Sequence, residues 1–446
     1  MIRDIERRDF VKGVGTAGII GLAGCTSGGD GGDGGDGGDG GDGGDGGDGG
    51  DGGSGDGGDG GSGSMERTIQ YGVLLPLSGD LGSVGTPMRD AATLPSKQLS
   101  GADLGGLTVE ETVEDTQTSP SAGISAANNL VNSGIPGVCG PASSGVNIQV
   151  SRQVFIPNGI VGCSPSSTAP SVTDLEDDDY IFRTVPSDAL QGQVVAQVAR
   201  DSIEASTAAT LYVNNDYGQL LSQAFVSAFE DNGGTVQSQT SFEKQQASYT
   251  SKLQSALADD PDTLVVIGYP ASGVQLFTDY YADFDDGTDI LVTDGMQDAG
   301  MQQQVGNPMS NVTGTVPQPS GPAADAFAAA YREEYGREPS VFNAHSYDAA
   351  ATLILANAMA GENDGTAVRD AMRDVANPEG MEVTIENLAE GVVAAANGED
   401  INYAGASSSV DFDDNGDMQA VTYAVWEFAP DTESGIEVVD TIQFEA

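Results

Sequence analysis

Small hydroxyl residues, amides, isolated acids and tyrosines follow the ends of six short apolar runs in this chain. The segments are residues 76–79, 141–145, 164–168, 214–218, 269–273 and 294–295. Ser and Thr in front of a helix can cap it and leave backbone N–H groups directed at an anion such as a carboxylate. For any single serine, helix capping is the simpler interpretation. The recurrence over six loops favours a binding site for a small polar molecule.

Alternating strands and helices are predicted to position these loops. Short apolar, β-rich runs occur at 69–75, 107–113, 137–139, 160–163, 209–213, 235–242, 263–268 and 289–292, and amphipathic helices are predicted at 122–132, 191–203, 219–232 and 249–258. This alternation predicts parallel sheets with helices on both faces, whose ligands bind beyond the carboxyl ends of the strands. Two later helices, 323–335 and 346–359, have no strand between them, so we expect them to pack back on an earlier sheet.

The charge of the chain limits its partners. Its 446 residues suggest about two or three domains, and 68 Asp and Glu against 16 Lys and Arg give a net charge of -52. Such a surface excludes nucleic acid as a partner, because it cannot neutralise phosphates. From residue 66 onward the acids are interleaved with apolar elements, which is typical of the solvated acidic surface of halophilic proteins. In molar salt the Debye length is about 3 Å, so the repulsion among these acids is mostly screened.

The first 64 residues are predicted to be an export signal and a tether. Arg7 and Arg8 precede a short apolar stretch, which indicates a twin-arginine-type signal peptide over 1–24, and the sequence LAGC at 22–25 indicates lipidation of Cys25. Residues 25–64 are then the lipidated cysteine and a disordered Gly/Asp tether. We therefore expect the folded part to be held at the extracellular face of the cell membrane.

A series of motifs along the folded part has a familiar order and spacing. They are GVLLPLSG at 72–79, GPASSG at 140–145, SPSSTAP at 164–170, FRTVPSD at 182–188, DYG at 216–218, YREEYGREP at 331–339 and VDFDDNGD at 410–417. Together they resemble the type I periplasmic-binding-protein family, in its branched-chain amino acid (leucine, isoleucine, valine) branch and in a halophilic-archaeal form. The similarity runs from about Tyr71 to Phe428. One departure is Val84, at a position where the family often has an aromatic residue, so a ligand other than leucine or its relatives stays open.

The resemblance implies an α/β fold with two lobes, each a parallel sheet flanked by helices, joined by a hinge of three crossovers. It implies lobe 1 over 65–188, lobe 2 over 189–316, a return to lobe 1 over 317–405 and a C-terminal segment near the hinge or lobe 2 over 406–446.

The resemblance also implies a set of ligand-binding residues. By motif matching, hydroxyl groups of lobe 1 hold a ligand carboxylate, two tyrosines of lobe 2 close over the ligand, and one acid pairs with its ammonium group. These residues are Ser144, Ser166 and Thr168, then Tyr217 and Tyr269, and finally Asp294.

The function implied is that of a monomeric solute-binding lipoprotein, which delivers an amino acid or a related solute to the permease and ATPase subunits of an ABC importer. The alternative is the ligand-binding component of a sensory or chemotaxis receptor. We expect no catalytic residues, no cofactor and no metal. A secreted hydrolase is disfavoured because no nucleophile and base pair is visible, and the single histidine, His345, is predicted to lie near a helix start.

Three further sequence features do not by themselves indicate a functional site. Cys139 and Cys163 end two apolar runs, and two separate buried residues are favoured over a disulfide. The acids at 411–415 fit the first half of a calcium-binding loop, but position twelve is Thr422, so a hairpin turn is favoured. Asn311 begins a glycosylation sequon whose use the sequence leaves open.

Overall fold

Two β-sheets organise the part of the chain that the computed structural model describes, which is residues 66–377, 379–418, 420–432 and 434–445. The predicted signal peptide with Arg7 and Arg8, the lipidation site Cys25 and the Gly/Asp tether lie outside these described residues.

The first sheet belongs to what we call lobe 1, and its five strands are all parallel. In chain order they are β1 (Arg67–Leu75), β2 (Leu107–Asp115), β3 (Gly137–Cys139), β4 (Val161–Ser164) and β5 (Ile181–Arg183), arranged in space as β2-β1-β3-β4-β5. The helices between them are α1 (Gly82–Leu99), α2 (Pro120–Asn132), α3 (Ser144–Val150), α4 (Ile156–Asn158) and α5 (Pro170–Thr173). The first, third and fourth strands are apolar and mostly buried, as expected of strands covered on both faces.

The second sheet belongs to what we call lobe 2. Its parallel strands are β6 (Thr207–Val213), β7 (Thr235–Phe242), β8 (Thr263–Ile267), β9 (Asp289–Val292) and β10 (Val312–Gln318). Its helices are α6 (Asp188–Gln197), α7 (Asp216–Asp231), α8 (Thr250–Ala256), α9 (Pro270–Asp283) and α10 (Met301–Val305). Side-chain caps fix two of the helix starts, because Ser187 accepts a hydrogen bond from Ala189 N and Asn215 accepts one from Gly218 N.

The chain then returns to lobe 1. The returning elements are α11 (Ala324–Tyr335), α12 (Asn343–Ala360), α13 (Gly365–Ala376), β11 (Met381–Val383), α14 (Leu388–Ala396) and β12 (Ile401–Tyr403). Helix α12 is buried on all sides and packs against α1, β1, β3 and β4, and α11 packs on α12. This confirms that the two long helices return to an earlier sheet.

The last two strands, β13 (Ala420–Phe428) and β14 (Ile436–Glu445), add to the sheet of lobe 2 in antiparallel orientation, which gives the order β14-β13-β10-β9-β8-β6-β7. The main chain thus passes between the lobes three times, at 184–187, 319–323 and 404–419. The two-lobed α/β fold with a three-crossover hinge is confirmed, and the additional finding is that the second sheet is mixed.

Strand β10 shows why some strands escape prediction from sequence. It contains Gly314 and Pro317, which usually interrupt strands. Pro317 is tolerated because the pairing with β9 ends at Gly314, so only β13 lies beside it. Gly314 is required because it lies opposite Trp426 of β13, and a Cβ atom there would overlap the indole ring. Tertiary packing therefore overrides the local preference of these residues.

Three smaller interpretations are confirmed by the geometry. Cys139 and Cys163 are register partners on β3 and β4, both buried and both free thiols. A tight turn before β13 lies between Phe412 and Met418, which form an antiparallel bridge. His345 lies in the first turn of α12 and is buried. Among the described residues, none of the helices combines the length and the apolar character that crossing a bilayer requires.

The contact between Gly314 and Trp426 yields a prediction about stability. The substitution Gly314→Ala should lower the free energy of unfolding by about 3 kcal/mol, because the fully buried indole has no space into which it can move. A denaturant titration followed by circular dichroism measures this. The control is Gly82→Ala in the first turn of α1, where the nearest atom to a Cβ would be 3.5 Å away. Equal stability of the two variants would contradict the prediction.

Candidate functional site

A cavity lies where the carboxyl ends of the strands of lobe 1 face those of lobe 2. It contains about 340 Å³ of space free of protein atoms, counting the part that opens to solvent. Its lining comes from the loops after β1, β3, β4, β6, β8 and β9, together with α1 and the residue before α12. The lining residues are Pro76, Leu81, Val84, Met88, Ala142, Ser143, Ser144, Ser166, Tyr217, Tyr269, Asp294, Gly295 and Phe342. These loops are the six segments that the sequence singled out.

Five of the six predicted ligand-binding residues line this cavity. They are Ser144, Ser166, Tyr217, Tyr269 and Asp294. Thr168 is not part of the lining. Its side chain is 1% exposed and, within the described part of the chain, its hydroxyl has no hydrogen-bond partner. Thr168 therefore lies just behind the wall, with an unused donor.

Serine hydroxyls on the lobe 1 side join two neighbouring loops. Ser144 begins α3, and its Oγ accepts a hydrogen bond of 3.2 Å from Ala169 N. Ser166 Oγ donates to Ala142 O at 3.2 Å. These bonds hold the loop after β3 against the loop after β4, so both present hydroxyl groups to the same space. The structural interpretation and the binding interpretation of these serines are compatible. Each hydroxyl forms a hydrogen bond within the loops and still lines the cavity.

A buried arginine fixes the loop after β4. Arg183 Nη1 donates to the carbonyl oxygens of Ser167, Thr168 and Ala169 at 3.1–3.2 Å. Its other nitrogens bind both carboxylate oxygens of Asp417, at 2.5 and 2.6 Å. The guanidinium thus positions the backbone that directly follows Ser166, and it does not line the cavity itself. The sequence placed Arg183 in a motif but gave it no role.

Two tyrosines form the lobe 2 wall. The rings of Tyr217 and Tyr269 are stacked, with centroids 5.6 Å apart and an interplanar angle of 11°. Tyr217 Oη donates to Asp294 Oδ1 at 2.8 Å, and Asn215 Nδ2 donates to Tyr269 Oη at 2.9 Å. Burial raises the pKa of both phenols, so each keeps its proton. Tyr269 Oη also forms a 3.1 Å hydrogen bond with Ser143 Oγ of lobe 1.

One buried carboxylate, Asp294, lines the lobe 2 side of the cavity, and a second, Asp188, lies near enough to interact with it. Asp294 is 2% exposed, and burial raises its pKa to about 6, while the hydrogen bond from Tyr217 acts in the opposite direction. Asp188 is fully buried, and burial followed by the nearby charge of Asp294 raises its pKa well above the usual value. Thr168 is close enough to moderate that pKa, yet among the described residues neither oxygen of Asp188 has a hydrogen-bond partner of normal geometry.

Asp188 is the functional candidate that sequence reasoning missed. It ends the motif at 182–188 and begins α6, and no feature of the sequence indicates that it lies near Asp294. Only the folded chain shows that the two carboxylates act on each other.

This arrangement suits a zwitterion. Hydroxyl and N–H groups on one side can bind an anion, and the paired carboxylates on the other can bind a cation. Leu81, Val84, Met88 and Phe342 offer apolar surface between them. Among the described residues, the lining contains no Lys, Arg or His to bind a second carboxylate. No group of three or more His, Cys, Asp or Glu side chains in the described ranges is arranged to hold a metal ion.

Comparison with known protein families and curated proteins gives consistent results. A family model described as Periplasmic binding protein matches residues 68–387. The chain is 27% identical over 386 residues to the chemotactic signal transduction system substrate-binding protein BasB of Halobacterium salinarum, which covers 84% of this chain and 90% of that protein. It is 28% identical over 313 residues to Leu/Ile/Val-binding protein homolog 1 of Brucella abortus, which covers 68% of this chain and 81% of that protein.

Solved structures show the same fold. The leucine-binding protein LivK from Thermotoga maritima matches with a TM-score of 0.69 at 22% identity, over 84% of this chain and 98% of that one. A solute-binding protein from R. palustris, solved in complex with 4-hydroxybenzoate, matches with a TM-score of 0.69 at 16% identity, over 85% of this chain and 98% of that one.

The buried carboxylate of Asp294 yields a prediction for the ligand-free protein. Its pKa of about 6 lies above the value near 4 of an unfolded chain, so the folded state loses stability as the pH rises from about 4 to 6. At pH 8 the substitution Asp294→Asn should therefore raise the free energy of unfolding by up to about 3 kcal/mol. The gain should shrink toward zero near pH 4. Denaturant titrations at several pH values measure it.

The control for that experiment is Asp259→Asn, which removes an exposed carboxylate of the same lobe. A gain for Asp294→Asn that is the same at pH 4 and pH 8 would show that the carboxylate is not strained by burial.

Proposed function

The chain belongs to the periplasmic binding protein family, and from that premise we propose that it is an exported lipoprotein that binds a zwitterionic amino acid with an apolar side chain between its two lobes. In this proposal it delivers the amino acid to the permease and ATPase subunits of an ABC importer. The observation that supports it most is the arrangement of one cavity, with hydroxyl groups on its lobe 1 side and the buried carboxylate of Asp294, with Asp188 close to it, on its lobe 2 side.

The proposed roles follow the chemistry of each wall. Ser144, Ser166 and neighbouring backbone N–H groups bind the ligand carboxylate, with the unused hydroxyl of Thr168 adding a donor when the ligand is present. Asp294 binds the ammonium group, supported by the charge of Asp188 behind it.

The remaining walls hold the side chain of the ligand. Tyr217 and Tyr269 cover it from lobe 2, while Leu81, Val84 and Met88 contact it from lobe 1. These three residues make this part of the cavity aliphatic, which favours a ligand with an aliphatic side chain.

Size and charge favour an amino acid over other solutes of the family. A cavity of about 340 Å³ lies at the lower end of the range of about 300–1,000 Å³ for ligand pockets, which suits one amino acid better than a peptide. An aromatic acid, such as the 4-hydroxybenzoate bound by the R. palustris protein, has no cation for the two carboxylates. It would leave both buried charges without a partner, which is costly.

The second candidate function is the ligand-binding component of a chemotaxis receptor system. The observation that favours it is the similarity to the Halobacterium BasB protein, which extends over 84% of this chain. The proposed ligand chemistry is the same in both cases. Co-purification of the ligand-loaded protein with importer subunits or with a membrane receptor would separate the two functions.

The proposal includes the location of the protein. Arg7 and Arg8 mark export through the twin-arginine route, Cys25 becomes lipidated, and residues 26–64 form a tether that keeps the monomer near the outer face of the membrane. The excess of acidic residues suits a salt-rich exterior, because high ionic strength screens their repulsion.

A thermal-shift screen of amino acids in molar KCl tests the ligand class. An aliphatic amino acid at about 100 times its dissociation constant should stabilise the protein by about 2.7 kcal/mol, which raises the melting temperature by about 5 °C. The shift should weaken below about pH 6, because Asp294 becomes protonated and loses its attraction for the ammonium group. Benzoate and glutamate should give no shift.

Two substitutions assign the shift to this cavity. Asp294→Ala should abolish it, and Thr168→Val should remove most of it, because valine keeps the shape of the threonine side chain and removes only the hydroxyl donor. The matched control is Ser171→Ala, which removes another buried hydroxyl that lies outside the cavity lining. If no amino acid raises the melting temperature, or if Asp294→Ala keeps the full shift, the proposed ligand chemistry is wrong.

A further inference from the structure

A second set of polar contacts between the lobes lies next to the cavity and outside its lining. On the lobe 1 side the participants are Asp80, which directly precedes the lining residue Leu81, and Thr118, which follows β2. Thr118 Oγ1 accepts a hydrogen bond from Leu81 N at 3.1 Å and donates to Ser78 O at 3.2 Å. The two loops of lobe 1 therefore form one preorganised surface.

The lobe 2 side is organised in the same way. Ser272 lies in the first turn of α9, close in sequence to the lining residue Tyr269. Its Oγ accepts a hydrogen bond of 3.0 Å from Gln245 N, which joins the start of α9 to the loop after β7. That loop also presents Lys244.

Three hydrogen bonds connect the two surfaces. Ser272 Oγ lies 2.9 and 2.8 Å from the two carboxylate oxygens of Asp80, and Ala271 N donates to Asp80 O at 3.3 Å. Lys244 Nζ donates to Thr118 O at 2.6 Å. Every one of these bonds has its donor on lobe 2 and its acceptor on lobe 1, so separating the lobes breaks all of them at once.

The charges make this contact unusual for the chain. It has four lysines among 446 residues, and one of them is placed between the lobes opposite a carboxylate that is 1% exposed. Burial raises the pKa of Asp80 and lowers the pKa of Lys244, and the charge of each opposes that shift in the other. Lys244 and Asp80 are thus desolvated together when the lobes are in contact. This desolvation is costly, and the attraction between the two charges offsets part of the cost.

We propose that Asp80, Lys244 and Ser272 form a lock between the lobes, which we call the rim lock, and that it sets how slowly the ligand leaves although none of its residues touches the ligand. This inference rests on the proposed function, because it takes ligand release to require separation of the lobes. It adds affinity-determining residues outside the cavity.

The physical argument concerns the equilibrium between closed and open lobes. A ligand enclosed between the lobes leaves only from the open form, so each factor by which the rim lock favours closure slows dissociation by the same factor. Both lobes are acidic, so closure brings like charges together, and the lysine offsets part of this repulsion at the point of contact. Hydrogen bonds to charged groups are stronger than those between neutral groups, so loss of this contact should speed dissociation about tenfold.

The test compares dissociation rates of the stabilising amino acid by stopped-flow displacement. Lys244→Met should increase the rate about tenfold relative to Lys252→Met, the control, which removes a lysine of helix α8 in the same lobe. Ser272→Ala should increase the rate less, because it removes one hydrogen bond and no charge. Lys244→Arg should restore most of the slow release, because it keeps both the charge and a donor. Circular dichroism spectra of the ligand-free variants should match that of the wild type, which shows that each variant is folded.

Dissociation from Lys244→Met at the rate of the Lys252→Met control would overturn the rim lock. If no amino acid binds, the proposed ligand is wrong, and small-angle X-ray scattering of the ligand-free protein in molar KCl then decides about the rim lock separately. A larger radius of gyration for Lys244→Met than for Lys252→Met supports it, and identical scattering profiles overturn it.

Discussion

The geometry of the cavity depends on one buried ion pair, between Arg183 at the end of β5 and Asp417 in the third passage between the lobes. The guanidinium uses Nη1 for three carbonyl oxygens of the loop after β4, and its remaining nitrogens for Asp417 and the hydroxyl of Thr173. A lysine could not replace it, because only the planar guanidinium offers five donors in fixed directions. The same side chain therefore ties a loop of the candidate site to Asp417 in the third passage between the lobes and to Thr173 of α5.

Stability and the proposed binding function favour different side chains on the lobe 2 side of the cavity. Burial disfavours the charged forms of Asp188 and Asp294, and within the described residues the oxygens of Asp188 lack hydrogen-bond partners. A fold selected for stability alone would place apolar or amide side chains there. In the proposed function the ammonium group of the ligand offsets this cost, because it supplies the missing opposite charge. The rim lock at the edge of the cleft also contains charged groups whose burial is costly, because Lys244 and Asp80 are desolvated together there.

Five of the twelve Lys and Arg side chains in the described residues lie over aromatic rings. These contacts are Lys97 over Tyr335, Arg200 over Phe229, Arg337 over Tyr331, Arg369 over Tyr180 and Arg373 over Phe182. Arg373 also donates to the carbonyl oxygen of Asp413, which joins α13 to the third passage. The acidic residues are left largely for solvent. This distribution agrees with a surface suited to high salt, and the halophilic interpretation stays a prediction.

The sequence by itself determined the alternation of strands and helices and the loops that line the cavity, because strand ends and turn residues are local signals. Five of the lining residues came from the resemblance of its motifs to a known family. It did not reveal β5, β11 and β12, which have three residues each, or β10, whose Gly314 and Pro317 are explained only by Trp426 and by the end of β9. The environment of Asp188 and the contacts of the rim lock are also set by tertiary structure. Their chemistry arises from groups far apart in sequence, such as Asp80 and Ser272, which acquire a common environment only when the two lobes meet. Desolvation and charge coupling belong to that environment, so no local pattern encodes them.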